Sequence, residues 1–261
     1  MKVLILCGGR GIIDPHTHNR ISKAMISIGG KPLVWHVMKS FSIFGYNDFV
    51  LALGEGGDAI RSYFIKYKDM THDIRIDAAS GTIEHLNTIQ EEDWKITLVD
   101  TGHDAHTGSR LSRCQRYLGS EPFFLTYCDC LCNVRIDKLL TFHESSGVIL
   151  TVTGVQPHTR FGTFYTEAGR VTRYDPHARL TGQGGFINGG FMICQPEIFN
   201  YVEVFSESSI EREVFKRLAE EQEVAVFPHT DFWYAVDTER DILYLNELYA
   251  QNRRLWLADL T

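Results

Sequence analysis

No run of about eighteen apolar residues occurs in the 261-residue chain, so no membrane-spanning helix is expected. The N-terminus carries no basic segment followed by an apolar stretch, so nothing reads as a secretory leader and a cytosolic protein is expected. Cationic residues are in the minority: 26 Lys and Arg against 33 Asp and Glu give a net charge of −7. That balance excludes an extended basic surface for DNA, RNA or an anionic membrane, although a local cluster of cations can still bind a small anion. Cysteine is sparse and irregularly spaced. Cys7, Cys114, Cys128, Cys130, Cys132 and Cys194 fit no small disulfide scaffold and are expected as reduced thiols. No Ser–His–Asp or Cys–His motif with a nucleophile context appears, and no repeat, low-complexity tract or linker interrupts the chain.

What is present is an ordinary globular composition, 44% apolar and 23% charged, with enough residues for a sizeable core. Lys2 to Cys7 reads as a short apolar strand that runs into Gly8-Gly9-Arg10-Gly11. A helix follows from Pro32 to about Phe44, with Leu33, Val37 and Phe41 on one face. Phe49 to Leu53 is the second strand, and Asp58 to Tyr67 the next helix. The polar stretch Thr71 to Glu92 predicts short edge strands, and Trp94 to Asp100 a clear third strand. A helix opens at Thr107 and runs to Leu118. Thr107 or Ser109 is placed to cap it, with Arg110 in the first turn where an anion would also meet free N–H groups. Pro122 to Tyr127 is a fourth strand that ends in Cys128-Asp129-Cys130, and open parallel sheets bind ligands outside such strand ends.

Beyond it come a helix from Ile136 to Ser146, a strand from Val148 to Val155 and a hairpin pairing Phe161–Tyr165 with Val171–Tyr174. Phe186 to Cys194, a helix from Ile210 to Glu221, Val224 to Phe227, Phe232 to Thr238 and a last helix from Glu239 to Asn252 complete the chain. The alternation predicts a sheet covered by helices in a single domain. Cys128-x-Cys130-x-Cys132 lacks the second cysteine pair of a structural zinc site, so metal binding by these thiols is not expected. His16, His18, His103 and His106 fall in polar loops and are expected to be solvated.

A buried strand ending in glycines lets the backbone approach a ligand and offers bare N–H groups to a phosphate, although Gly8-Gly9-x-Gly11 alone is more readily an ordinary turn. Further blocks add to it: Lys23, Ile28-Gly-Gly-Lys-Pro-Leu-Val-Trp-His36, Thr97-Leu-Val-Asp-Thr-Gly102, Thr107-Gly-x-Arg-Leu111, Arg160-Phe-Gly162, Ile187-Asn-Gly-Gly-Phe191 and Asp237-Thr238. Together these blocks resemble the glucose-1-phosphate cytidylyltransferases of the sugar nucleotidyltransferase family, colinearly and over nearly the whole chain. The resemblance implies an α/β fold: a Rossmann-like, glycosyltransferase-A-type mixed sheet flanked by helices. Its nucleotide-binding half would span about 1–135 and its sugar-phosphate-binding half about 136–261. It implies transfer of a nucleotidyl group from a nucleoside triphosphate, CTP for this branch, to a sugar 1-phosphate, with Mg²⁺ as cofactor, in a homo-oligomer.

Residue by residue, the resemblance places Leu6, Cys7, Gly8, Gly9, Gly11, Lys23, Thr107, Gly108, Arg110, Tyr127 and Asp129 against the nucleotide. Asp129 and Asp237 take the metal positions and, with Lys23, the catalytic ones. Arg179, Asn188, Gly189, Glu211 and Trp233 take the sugar-phosphate side.

The chain also departs from the pattern. Where the family carries Gly-Gly-x-Gly-Thr-Arg-Leu, this sequence has Ile12, Ile13 and Asp14, removing a hydroxyl and a guanidinium. The family's Pro-Lys-Pro is Ser22-Lys23-Ala24, its Tyr-Gly-Asp-Gly is Tyr127-Cys128-Asp129-Cys130, and its Glu-Lys-Pro is replaced by Ala178-Arg179-Leu180. Two isoleucines in the phosphate turn predict a poorly held triphosphate tail unless Arg10 or Arg20 reaches in. A homologue that binds a nucleotide without turnover is therefore the alternative reading of the same sequence.

Overall fold

The computed structural model describes residues 1–9, 11–13, 20–86, 92–156, 185–203 and 207–257, and the backbone of 163–167 and 170–175. Arg10, Asp14, His16, His18, Arg160 and Arg179 lie outside the described residues. Seven strands form the main sheet: β1 (Val3–Leu6), β2 (Asp48–Leu53), β3 (Lys95–Asp100), β4 (Phe123–Tyr127), β5 (Leu150–Val155), β6 (Ile187–Cys194) and β7 (Val224–His229). Their order across the sheet is β7-β5-β6-β4-β1-β2-β3. β1 pairs in parallel with β4 and β2, β2 with β3, and β5 with β7, whereas β6 runs antiparallel between β4 and β5. The sheet is therefore mixed, with the first four strands contiguous on one side and the last three on the other.

β1 is apolar throughout because both of its faces are covered. Val3 and Ile5 face one layer, with α1 (Leu33–Ser42) and α4 (Ile136–Ser146). Leu4 and Leu6 face the other, where Leu111, Cys114 and Leu118 of α3 (Thr107–Leu118) pack. α2 (Gly57–Ile65) seats Ile60 in the first layer, and α5 (Phe215–Glu220) seats Leu218 in the second. α6 (Glu239–Ala250) begins with a capping box in which Thr238 and Asp241 satisfy each other's backbone N–H groups, and returns Leu245 and Leu248 to the first layer.

Leu33, Val37 and Phe41 are all buried, as their spacing predicts, with Pro32 one position earlier than expected, at the N-cap. Three expectations need correction. The stretch after Thr71 forms a separate hairpin, Ile74–Asp77 with Thr82–His85, because its strands pair with each other and not with an edge of the main sheet. The helix expected from Ile210 starts as a π-helical turn, Ile210–Val214, and becomes α-helical only at Phe215. The hairpin after β5 is Thr163–Glu167 with Arg170–Asp175, so Phe161 falls outside the described residues. No helix among the described residues is long and apolar enough to cross a membrane.

The C-terminal segment is locked to α1 by a buried histidine. His36 Nε2–H donates to the Ile28 carbonyl at 2.9 Å, which leaves Nδ1 to accept from the Trp256 indole at 3.2 Å. Burial pulls the His36 pKa down to about 4, against the smaller upward pull of its bond to Ile28. Trp256 is itself fully buried.

Candidate active site

A cavity of about 930 Å³ opens at the carboxyl ends of β1, β2, β3 and β4, the four contiguous parallel strands. Gly8, Gly9 and Gly11 form its wall after β1, Glu55 after β2, His103 to Thr107 after β3, and Cys128 and Asp129 after β4. Of the residues expected against a nucleotide, Leu6, Cys7, Gly8, Gly9, Gly11, Lys23, Thr107, Arg110, Tyr127 and Asp129 all line it.

Lys23 sits on a short 3₁₀ turn, Lys23–Met25, anchored by buried Ala24. Its ammonium donates to Asp129 Oδ2 at 2.9 Å and to Asp237 Oδ1 at 2.7 Å. The two carboxylates, remote in sequence, therefore converge on one point. A short antiparallel ribbon causes this: Cys130–Cys132 pairs with Trp233–Ala235, and the Val236 N–H donates to the Asp129 carbonyl at 2.8 Å. Asp237 follows directly, with its own N–H held by Asp241 at 3.0 Å. Burial alone would lower the Lys23 pKa, but Asp129 and then Asp237 more than offset it, so the ammonium is held charged.

Arg110 is placed differently from expectation. Its guanidinium lies beneath the glycine loop and is 4% exposed with its residue. Nη1 donates to the Leu53 carbonyl (3.0 Å), Thr101 Oγ1 (2.7 Å) and the Gly102 carbonyl (2.9 Å). Nη2 donates to the carbonyls of Gly8 (2.7 Å) and His103 (3.2 Å). These bonds tie together the ends of β1, β2 and β3, so Arg110 is the floor of the cavity, and its Nη donors are already committed. Gly8 and Gly54 have no side chain because a Cβ on either would collide with this guanidinium.

The first turn of α3 also differs. No side chain caps it; the N–H groups of Gly108 and Ser109 donate to the Ser208 carbonyl at 2.9 and 3.3 Å, so they are not free for an anion. Gly108 is packed against Ser208 and does not line the cavity. Thr107 Oγ1 accepts from the Ile210 N–H at 3.0 Å and donates to Glu211 at 2.7 Å.

Glu211, expected on the sugar side, is held by two residues expected on the nucleotide side. It accepts from Thr107, from the Tyr127 hydroxyl at 2.5 Å and from Ser209 at 2.8 Å. Burial pushes its pKa up, but the bonds from Tyr127, Thr107 and Ser209 outweigh it and the net shift is downward. Asn188 donates to the same Tyr127 hydroxyl at 3.1 Å, and the Trp233 indole donates to the Gly189 carbonyl at 2.8 Å. Asn188 and Glu211 thus border the cavity through Tyr127, whereas Gly189 and Trp233 bond to each other and do not line it.

Ile12 and Ile13 do not put apolar surface into the cavity. They form a two-residue strand paired with Arg20–Ile21; Ile12 packs on the core and Ile13 faces solvent. Cys128 does enter the wall, and its thiol adjoins that of Cys7. Burial, then Cys128, pushes the Cys7 thiol up, so it stays protonated and inert. All six cysteines are free and buried. His103 and His106 line the cavity wall, and an adjoining Asp104 holds the His103 pKa up. Glu55 and Glu207 line the cavity without having been singled out in the sequence, and Ser22, noted there only as a departure from the family's pattern, lines it too. For Ser22 a signal existed, because it stands two residues from Arg20 in an extended segment.

No protein-family model matches the chain. A probable glucose-1-phosphate cytidylyltransferase of Bacillus subtilis is 37% identical over 256 residues, 98% of this chain and 99% of that protein. The glucose-1-phosphate cytidylyltransferase of Salmonella typhi is 34% identical over 257 residues, 98% of each chain. Among solved structures, a UDP-glucose pyrophosphorylase complexed with UDP-glucose superposes with a TM-score of 0.65 at 15% identity, covering 97% of this chain and 99% of that one. The inositol-1-phosphate CTP transferase of T. maritima gives 0.62 at 15% identity, covering 97% and 96%. These structural likenesses establish the sugar nucleotidyltransferase fold. Full-length identity above one third does more, and the protein belongs to the glucose-1-phosphate cytidylyltransferase family.

Proposed function

We propose that the protein transfers a cytidylyl group from CTP to a sugar 1-phosphate, glucose 1-phosphate in the first instance, releasing pyrophosphate. The observation that carries this reading is the convergence of Asp129 and Asp237 on Lys23 at the mouth of a glycine-walled cavity. In the reaction a phosphate oxygen of the sugar 1-phosphate attacks the α-phosphorus. The bond to the β-phosphate breaks, and pyrophosphate leaves with the electron pair. The chain need only align the two phosphates and neutralise charge, which in such sites supplies most of the rate.

The donor set fits Mg²⁺. Two carboxylates aimed at one cation position match an ion that takes one or two carboxylates and completes its shell with phosphate and water oxygens. We assign Asp129 and Asp237 as those ligands; bound Mg²⁺ would neutralise the phosphates at the reacting centre. Lys23 then bears on the phosphates beside it, Gly8 and Gly9 let the nucleotide approach the β1 backbone, and the Tyr127–Glu211–Asn188 cluster orients the sugar.

The test is pyrophosphate release from CTP and glucose 1-phosphate, with the other triphosphates and sugar 1-phosphates as comparisons. Asp129→Asn and Asp237→Asn should each lower turnover by about two to four orders of magnitude while the fold persists. CTP binding with no pyrophosphate release from any pair would overturn the assignment and leave a nucleotide-binding relative.

A further inference from the structure

One cation meets two carboxylates only if their spacing is fixed, and for Asp129 and Asp237 backbone bonds fix it. Three consecutive N–H groups around Asp237 are committed. The Val236 N–H donates to the Asp129 carbonyl at 2.8 Å, and the N–H groups of Asp237 and Thr238 donate to Asp241 Oδ2 at 3.0 and 2.8 Å. The Thr238 hydroxyl donates to the same oxygen at 2.8 Å.

A capping box asks less of its acid. The acidic side chain in the first turn returns to the N–H of the N-cap residue, here Thr238. Asp241 also takes the N–H of Asp237, one residue before that cap, and its second oxygen leaves the helix altogether. Oδ1 accepts from the Tyr234 hydroxyl at 3.0 Å. Tyr234 is the middle residue of Trp233–Ala235 and stands opposite Leu131 in the strand that follows Asp129. Leu131 is buried and roots this ribbon in the core. One half-buried carboxylate thus fastens the turn that carries Asp237 to the ribbon that begins at Asp129. Asp237 and Thr238 are exposed, so solvent could satisfy their N–H groups if Asp241 were lost. What these bonds chiefly secure is therefore the placement of Asp237 and not the stability of the fold.

We propose that Asp241, with Tyr234 behind it, is a positioning residue for the metal site, acting through the Asp237 backbone to set the separation and aim of the Asp129 and Asp237 carboxylates. The inference rests on the assignment of those two carboxylates to Mg²⁺ in the functional reading above and adds to it the residues that hold them in register.

Water-proton relaxation by Mn²⁺, measured with protein and CTP but no sugar phosphate, reads metal affinity without turnover. Asp241→Ala should weaken Mn²⁺ about tenfold to a hundredfold, the usual cost of losing a partner that orients a metal ligand. Tyr234→Phe leaves the capping box whole and should still weaken Mn²⁺ about threefold to tenfold, the worth of one hydrogen bond. Thr238→Ala removes the cap hydroxyl, so it should lower the urea midpoint yet keep Mn²⁺ affinity within about twofold. If Asp241 served only as a cap, its loss and that of Thr238 would shift the midpoint alike and leave Mn²⁺ bound as before. Mn²⁺ affinity unchanged in Asp241→Ala or in Tyr234→Phe, or weakened as much in Thr238→Ala, would overturn the inference alone when Asp129→Asn loses the metal in the same assay. Failure of the unmodified protein to bind Mn²⁺, or full affinity in Asp129→Asn, would instead overturn the metal assignment and this inference with it.

Discussion

Arg110→Met separates two roles for a residue that the resemblance places against a nucleotide and the structure places beneath the glycine loop. Methionine keeps an unbranched apolar stem and removes the guanidinium. The Leu53 carbonyl would keep the Thr101 N–H at 3.0 Å and the Thr101 hydroxyl at 2.5 Å, so it is not orphaned. The carbonyls of Gly8, Gly102 and His103 would lose the donor described here. Gly8 is buried, and its orphaned carbonyl carries the full penalty; Gly102 and His103 are nearer to water and carry less. At about 1–3 kcal/mol for each buried acceptor, the total is about 3–5 kcal/mol. Urea unfolding should therefore show a lower midpoint at unchanged slope, and calorimetry should show CTP and CMP weakened together as the glycine loop loosens. A variant as stable as the unmodified protein that nonetheless loses CTP binding would refute the reasoning, since the guanidinium would then be touching the ligand.

Two further outcomes follow from the same contacts. Gly54→Ala should destabilise by about 1–3 kcal/mol without any change of charge, read in the same urea titration, because its Cβ would collide with the Arg110 guanidinium; a neutral result would mean the floor yields. His36 supplies a pH dependence. Its folded pKa of about 4 lies below the unfolded value of 6.5, so the unfolded chain binds more protons between them and stability rises with pH across that window. The contribution is complete above pH 6.5 and lost as pH falls to 4, an effect of about 3 kcal/mol. His36→Gln should flatten this part of the profile, and equal slopes in the two proteins would exclude it.

The sequence could be read for the sheet because β1, β2 and β4 are short apolar runs between turns, and burial on both faces demands such runs. It could be read for α1 because Leu33, Val37 and Phe41 repeat at helical spacing. The convergence of Asp129 with Asp237 was expected from the resemblance and from the placement of both after strand-like segments. Its physical cause, the pairing of Cys130–Cys132 with Trp233–Ala235, links three-residue strands that carry no pattern of their own. The bonding of Arg110 was hidden from the sequence for a related reason. A local reading puts it at a helix start, where arginine faces an anion or solvent, and only the tertiary approach of Gly8, Leu53 and Thr101 shows that five oxygens already surround it.

The two isoleucines in the glycine turn illustrate how a lost signature can mislead. A single-strand reading treats Ile12 and Ile13 as apolar substitutions in a phosphate clamp. Paired with Arg20–Ile21, they take on separate tasks: Ile12 and Ile21 are opposite one another and both pack on the core, while Ile13 and Arg20 share the other face. The ribbon thus keeps an apolar side that anchors it and a side from which the longer Arg20 chain reaches the cavity. A ligand responds to where charge arrives, not to which strand carries it. Departure from a motif at one strand is therefore weak grounds for lost function until the residue opposite it has been read as well.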